Sequence, residues 1–242
     1  MNLKDLKDKK VDLQFRALAP FLVQTKIEQE LIDLLLEKGN ESREKNISAH
    51  ELKGIQTLAG VTREAYSYEK YWGNWFAPKF SPYLDAYIRG VNDYCKNSFQ
   101  WKKQPLNVNI PSLWINYQRG YEYLPLHNHD GDVSFVIYLQ VPDEIKKENE
   151  EMKIESFPGM ISFEYGVELP FTNNSFRQLP NVGDCFIFPA WLTHHVYSFK
   201  ADVERISVSG NIEFESIATT GWSEQKVMNL KDKRVDLKFI AE

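Results

Sequence analysis

From residue 110 onward, the chain is divided into short runs of β-branched and aromatic residues, separated by turn-forming residues. These runs predict six strands, at residues 113–118, 133–141, 160–165, 184–188, 195–199 and 205–212. Several short strands at such spacing are typical of a sandwich or barrel, so this half of the chain is expected to be mainly β. The charged run 143–153 is interpreted as a solvated excursion between two strands.

The N-terminal part shows helical spacing instead. A first helix is predicted over residues 23–38, because apolar residues recur every three or four positions at Ile27, Leu31, Leu34 and Leu35. Gly39 is interpreted as the stop of this helix, and the polar stretch 40–48 as a surface loop.

A second helix is predicted to start at Ser81, as N-cap, with Pro82 at the first helical position, and to run as far as residue 98. An aromatic segment, 66–80, separates the two helices. Its large side chains are expected to pack in the core rather than line a pocket: Trp72, Trp75 and Phe76.

The whole chain, 1–242, is interpreted as one domain, because no Pro-, Gly- or Ser-rich linker separates helices from strands. Residues 16–100 would form a helical buttress, and residues 110–215 a β core. The predicted class is therefore mainly β with flanking helices.

Composition narrows the classes of function. A hydrophobic content of 43% is that of a folded globular protein, and a net charge of −5 makes nucleic acid an unlikely partner. No apolar run is long enough to span a bilayer, and residues 1–8 lack the apolar core of a secretory signal, so a cytoplasmic location without membrane contact is expected. Cys95 and Cys185 are interpreted as buried thiols, with a single disulfide between them as the alternative. Oligomeric state cannot be read from the sequence.

Residues 6–15 recur at 230–239 with eight of ten positions identical. Two copies are too few for a solenoid. A duplicated terminal segment of genetic origin is the favoured interpretation. The structural alternative is that both copies, which alternate apolar and polar residues, form strands at related edges of the sheet.

Four of the five histidines fall in two tight groups, His127 with His129 and His194 with His195. In an extended chain, His127 and His129 project from the same side, because strand side chains alternate. A first-row metal needs such converging imidazoles and a further ligand from a distant segment, which His194 could supply. The sequence therefore predicts a metal site, whereas His50, in a polar stretch, is expected at the surface.

Arg205 and Ser207 lie two positions apart in the last predicted strand, hence on one face. A guanidinium with a neighbouring hydroxyl can grip a carboxylate. A hairpin turning at residues 200–201 would place His194 opposite Ser207 and Val196 opposite Arg205. The metal ligand and the carboxylate-binding residues would then face one cavity. The alternative is a surface ion pair between Arg205 and Glu204 or another acid.

Two blocks, residues 113–142 and 183–209, resemble the superfamily of 2-oxoglutarate- and Fe(II)-dependent oxygenases, and in particular a group found in phages and bacteria. The spacing of Gly183, Pro189 and His194 is similar to the second motif of cupin-like double-stranded β-helices. The resemblance implies a jelly-roll core of that kind, Fe(II) as the metal and 2-oxoglutarate as the cosubstrate. It also implies oxidative decarboxylation of 2-oxoglutarate to succinate, coupled to oxidation of a small or macromolecular substrate.

Carried over residue by residue, the resemblance makes His127 and His194 iron ligands and places Arg205, beside Ser207, on the distal carboxylate of 2-oxoglutarate. Asn116 and Tyr138 are weaker candidates for cosubstrate contacts. Among five aromatic residues, most are expected in the core and some at the mouth of the barrel: Trp114, Tyr117, Tyr121, Tyr123 and Trp191.

The chain departs from the family pattern at His129, where these oxygenases usually carry a carboxylate. Either three histidines hold the iron, which is the favoured interpretation, or Asp130 or Asp132 supplies a carboxylate and His129 supports it from outside the coordination shell. Two other functions stay open: a cupin-type metal enzyme that does not use 2-oxoglutarate, and a non-catalytic β-helix that serves in binding.

Overall fold

The computed structural model describes residues 19–49, 64–70, 72–94, 106–151, 156–216 and 237–239. Its helices are α1 (Gln29–Glu44), α2 (Trp72–Trp75), α3 (Ala77–Tyr94) and α4 (Asp143–Glu151). Its strands are β1 (Val23–Lys26), β2 (Glu64–Ser67), β3 (Leu106–Gln118), β4 (Leu124–His127), β5 (Val133–Gln140), β6 (Ile161–Glu164), β7 (Ser175–Gln178), β8 (Asp184–Pro189), β9 (Thr193–Val196), β10 (Arg205–Ser216) and β11 (Leu237–Phe239).

The strands form two sheets. The large sheet has the order β1-β8-β5-β10-β3-β11, with β2 also paired to β3, and the small sheet has the order β4-β9-β6-β7. Pairing is antiparallel except between β11 and β3. The two sheets enclose an apolar core to which both contribute side chains. The predicted fold class, a mainly β jelly-roll with flanking helices, is confirmed.

Helices α1 and α3 pack on the outer face of the large sheet. Leu35 of α1 and Leu84 of α3 belong to one buried cluster with Ile137 and Val208 of the sheet. Because side chains alternate along β10, Ile206 and Val208 face the helices, and Arg205 and Ser207 face the small sheet. The helices thus stabilise the sheet from behind, and its inner face is left for the site.

The first helix differs from its prediction at both ends. Residues 23–26 form β1, and α1 continues through Gly39 to Glu44. Gly39 lies inside the helix, where its role is in packing. A Cβ atom there would lie 2.3 Å from Cδ1 of Ile115 and 3.3 Å from the hydroxyls of Tyr68 and Tyr117. The missing side chain lets the helix approach the sheet.

The third helix begins four residues before the predicted start, so that Pro82 lies inside it. Proline has no N–H for the carbonyl four residues earlier. That carbonyl, of Pro78, instead accepts a hydrogen bond from Oγ of Ser81 at 3.0 Å. The predicted end at residue 98 lies outside the described residues, as does Cys95. The expectation of a core role is confirmed for Phe76, which is fully buried, while Trp72 and Trp75 are partly buried against the same cluster.

All six predicted strands are present, although 195–199 is displaced to Thr193–Val196. Four strands of four residues each were not predicted: β1, β2, β4 and β7. The expected solvated excursion between two strands is present between β5 and β6, and Asp143–Glu151 within it form the helix α4, which was not predicted. Ile145 is the one buried residue of this helix, so its sequence carries no apolar periodicity.

The terminal repeat is only partly described. Residues 237–239 of the second copy form β11, which pairs with β3, and the first copy lies outside the described residues, so the structural alternative stays a prediction. Cys185 is a buried free thiol, as expected. In the described parts of the chain, no helix has the length and apolarity needed to cross a membrane.

We expect Gly39→Ala to lower the free energy of unfolding by about 1–2 kcal/mol, because overpacking against three buried side chains outweighs the better helix propensity of alanine. Urea denaturation measures the effect. Glu37→Ala, at an exposed position of the same helix, serves as the control and should change little. An increase in stability for Gly39→Ala would contradict the packing role.

Candidate active site

Three histidines converge between the two sheets. His127 ends β4 and is paired with His194 of β9, and His129 lies two residues beyond β4. Their ring centroids are 4.3 Å apart for His127 and His194, 5.1 Å for His127 and His129, and 5.0 Å for His129 and His194. One ligating atom from each residue lies within 4.8 Å of the others. This spacing fits a single metal ion.

Backbone contacts orient two of these rings. Nδ1 of His127 lies 2.6 Å from the carbonyl oxygen of Pro125, and Nδ1 of His194 lies 2.9 Å from that of Leu192. Because a carbonyl can only accept, the proton belongs on Nδ1 and the lone pair on Nε2, which is the arrangement found in metal-binding histidines. Nδ1 of His129 is buried without a hydrogen-bond partner.

Burial keeps the cluster neutral. Desolvation, together with the neighbouring imidazoles, lowers the pKa of His129 to about 3 and that of His194 well below its ordinary value. The pKa of His127 is lowered for the same first reason, desolvation. Neutral imidazoles hold free lone pairs, so these residues can bind a metal without first losing a proton.

The two alternative carboxylates lie outside this cluster. Oδ2 of Asp132 accepts a hydrogen bond from the backbone N–H of Phe214 at 2.7 Å, which ties it to β10. Asp130 is exposed. His195 faces away from His194. It is opposite Ser162 in the pairing of β9 with β6, and its ring lies 4.5 Å from that of Tyr197. His50 lies outside the described residues.

The predicted cosubstrate residues line the same cavity as the histidines. Ser207 pairs with Asn116 on one side and with Tyr138 on the other, so all three project from one row across the large sheet. The cavity is lined by aromatic, aliphatic and polar side chains: Trp114, Asn116, Gln118, Leu124, His127, His129, Phe135, Val136, Tyr138, Ile161, Phe188, His194, Val196, Arg205, Ser207 and Ser209.

The expected hairpin between His194 and Ser207 is wrong. Strand β9 pairs with β4 and β6, whereas β10 pairs with β3 and β5. The connection after Val196 crosses from the small sheet to the large one, so the two residues face each other across the cavity. The expected shared cavity is present, but it is formed by two sheets rather than by one strand pair.

Arg205 is a buried residue, 3% exposed, and not part of a surface ion pair. Its Nη1 donates to the carbonyl of Gly159 at 2.6 Å, and its Nη2 donates to Oε1 of Gln118. Its Nε is buried without a partner, and burial lowers the pKa of the guanidinium. Glu204 instead forms ion pairs with Arg43 and Arg119. Neutral acceptors therefore orient a cation whose charge is left uncompensated.

Helix α4 fixes one of these acceptors. Gly159 has φ +68°, and a Cβ atom on it would lie 2.5 Å from Cγ2 of Ile145 in the helix. Nδ2 of Asn149 donates to the carbonyl of Pro158, next to Gly159. The sequence did not reveal Gly159 or Gln118 as site residues. Gln118 is opposite Arg205 in the pairing of β3 with β10, and this pairing could have indicated its role. It could be recognised only once the register of the two strands was known.

The five aromatic candidates divide between three places. Trp114 lines the cavity, and Tyr117 is buried in the cluster that faces the helices. The other three are exposed: Tyr121, Tyr123 and Trp191.

Comparison with known families bears on this site. Residues 112–211 match the family described as "Putative 2OG-Fe(II) oxygenase". The match spans both sequence blocks, so the resemblance to the 2-oxoglutarate- and Fe(II)-dependent oxygenases is confirmed. The narrower resemblance to a group found in phages and bacteria stays a prediction. These residues form an oxygenase domain of the class that uses Fe(II) and the cosubstrate 2-oxoglutarate, and the three-histidine cluster fits the metal.

No curated protein matches the sequence. Among solved structures, a prolyl-4-hydroxylase from Pseudomonas putida is 16% identical with a TM-score of 0.46, covering 80% of this chain and 92% of that one. A prolyl hydroxylase from Trichoplax adhaerens, in complex with a peptide of hypoxia inducible factor, is 10% identical with a TM-score of 0.48 and 87% coverage of each chain. The epimerase SnoN from nogalamycin biosynthesis is 12% identical with a TM-score of 0.49, covering 84% and 85%. We assign no activity from these similarities.

We expect the metal-free protein to lose stability as the pH falls below 6.5, the ordinary pKa of histidine. The unfolded chain takes up protons there, whereas the folded chain, with its lowered histidine pKa values, takes up fewer. Thermal unfolding of chelator-treated protein between pH 7 and pH 4 measures the slope. His129→Gln should flatten it, and an unchanged slope in this variant would contradict the burial effect.

Proposed function

We propose that the protein is a hydroxylase in which His127, His129 and His194 hold Fe(II), and Arg205 holds the distal carboxylate of 2-oxoglutarate. The observation that carries this proposal is the presence of both features in one cavity. Neutral imidazoles converge on one side of it, and an uncompensated guanidinium lies on the other.

The charge of the cavity favours an anionic cosubstrate. Among the described residues that line it, Arg205 alone carries a full charge. A buried cation is costly unless an anion or hydrogen-bond acceptors compensate it. A carboxylate of 2-oxoglutarate would accept from the free Nε, while Gln118 and Gly159 keep the guanidinium in place.

Three polar residues would complete the cosubstrate site. Ser207, Asn116 and Tyr138 lie in one row between Arg205 and the histidines. Burial raises the pKa of Tyr138 to about 12, so its phenol stays protonated and can donate a hydrogen bond to an anion.

The bound Fe(II) and 2-oxoglutarate would supply the oxygen chemistry: one atom of O2 enters a substrate C–H bond, the other enters succinate, and CO2 leaves. The protein supplies orientation and a dry environment. The rings of Phe163 and Phe188 lie 5.7 Å and 4.8 Å from that of His194, and both side chains are buried, so water is excluded on this side of the metal site.

His129 is the third ligand in this proposal, in place of the usual carboxylate. A neutral ligand leaves the metal centre one unit more positive than a carboxylate would. The same three-histidine set also favours a second candidate, a cupin-type metal enzyme without 2-oxoglutarate. That candidate gives no role to the buried guanidinium, and succinate formation separates the two.

The first experiment is anaerobic reconstitution with Fe(II) and 2-oxoglutarate, followed by air. We expect a charge-transfer absorption band before air and succinate afterwards. Iron binding without either signal would reject 2-oxoglutarate as the cosubstrate and favour the second candidate. Absence of metal binding would leave a non-catalytic binding protein.

Arg205→Ala should weaken 2-oxoglutarate binding about 100-fold, because the charge-assisted contact to the carboxylate is lost, and should leave iron affinity nearly unchanged. Titration of the charge-transfer band measures the first quantity and a metal titration the second. Arg177→Ala, at an exposed arginine of β7, is the matched control. Equal cosubstrate affinity in Arg205→Ala and the wild type would remove the proposed role.

His129→Ala should weaken Fe(II) or Co(II) binding at least about tenfold, whereas His129→Asp should retain binding because it restores a carboxylate ligand. The visible spectrum of the Co(II) form should change in both variants. His195→Ala, outside the cluster, should leave spectrum and affinity as in the wild type. If His129→Ala has the wild-type Co(II) spectrum, His129 is not a ligand.

A further inference from the structure

The pairing of β6 with β9 in the small sheet distinguishes two ends of the cavity. Along the pairing of β6 with β9, Ile161 and Val196 lie at one end, and Glu164 and Thr193 at the other. The Arg205 contact with Gly159 precedes Ile161 in the chain, so Arg205 lies at the first end. His194 lies next to Thr193. If the cosubstrate occupies the space between Arg205 and the histidines, the second end is left for the substrate.

An exposed group of large apolar side chains lies at that second end. We call it the apolar rim, and it consists of Tyr165, Val167, Leu169 and Phe171 in the loop after β6, and Trp191 in the turn before β9. The rings of Tyr165 and Trp191 are 5.9 Å apart, which links the two segments. Single exposed apolar residues are ordinary, but a group of this size indicates an interaction surface.

The shape and charge of the rim narrow the choice of partner. Phe171, at 108% exposure, projects fully from the surface, whereas sites for small molecules are concave and enclose their ligand. Within residues 165–174, Glu168 carries the one formal charge. Nucleic acid binds through lysine and arginine contacts to phosphate, which this segment lacks.

We propose, on the basis of the function proposed above, that the apolar rim docks a polypeptide substrate through apolar or aromatic side chains and presents one of its residues to the metal. A protruding surface suits a chain that can wrap around it. Trp191 and Phe171 are then specificity-determining residues, because they contact the substrate at a distance from the reacting bond.

The test uses the holoenzyme with Fe(II) and 2-oxoglutarate and two sets of synthetic dodecapeptides of equal net charge, one with apolar and aromatic centres and one with serine and glycine centres. Binding is measured by fluorescence anisotropy without oxygen. After air is admitted, mass spectrometry detects the gain of one oxygen atom in the peptide. Decanoate and a single-stranded oligonucleotide are the competing probes.

We expect apolar peptides to bind and to be oxidised in preference to polar ones. Trp191→Ala, and separately Leu169→Ser with Phe171→Ser, should weaken peptide binding about tenfold or more, the effect of removing an aromatic anchor. Val182→Ser removes an exposed apolar residue outside the rim and should have no effect. Cosubstrate affinity and peptide-independent succinate formation should be unchanged in every variant.

Equal binding of the two peptide sets, equal binding by the rim variants and the wild type, or oxidation of decanoate or the oligonucleotide but of no peptide would overturn the docking proposal. These outcomes are distinct from failure of the proposed function, in which the charge-transfer band and succinate would both be missing from the wild type.

Discussion

The central position of β10 in the large sheet determines both the core and the site. This strand is paired with β3 over residues 205–216 and with β5 over residues 206–212, so the register of its first half is fixed from both sides. Its alternate residues then face opposite ways: Ile206 and Val208 pack against the helices, and Arg205 and Ser207 face the small sheet. A shift by one residue would bury the aliphatic side chains in the polar cavity and expose the guanidinium to the helices.

The second requirement is that the small sheet faces this surface with its histidines inward. Pairing of His127 with His194 brings residues 67 positions apart in sequence to a ring distance of 4.3 Å. Burial then removes water from all three imidazoles and leaves them neutral. The same burial that makes the fold compact therefore prepares the nitrogen atoms for a metal, at a cost in stability under acidic conditions.

Much of the fold and of the candidate site could be predicted from sequence because local patterns determine them. The runs of β-branched and aromatic residues that form β3, β5, β8 and β10, and the order of the two histidine groups, were sufficient for the mainly β class and the cluster. The pairing of strands could not be predicted in this way, because β9 and β10 are consecutive in the chain yet belong to different sheets. Gly39 and Gly159 show a related limit: each lies where another element approaches closely, and no local pattern distinguishes that use of glycine from a helix stop or a turn.

The contact between helix α4 and the turn at Gly159 has a thermodynamic consequence. The helix holds a single buried side chain, Ile145, so little apolar burial opposes its local opening. Because its packing supports the carbonyl that orients Arg205, opening of the helix and release of the guanidinium are linked equilibria. Any anion that binds the ordered guanidinium must therefore also protect the amide hydrogens of this surface helix from exchange with solvent.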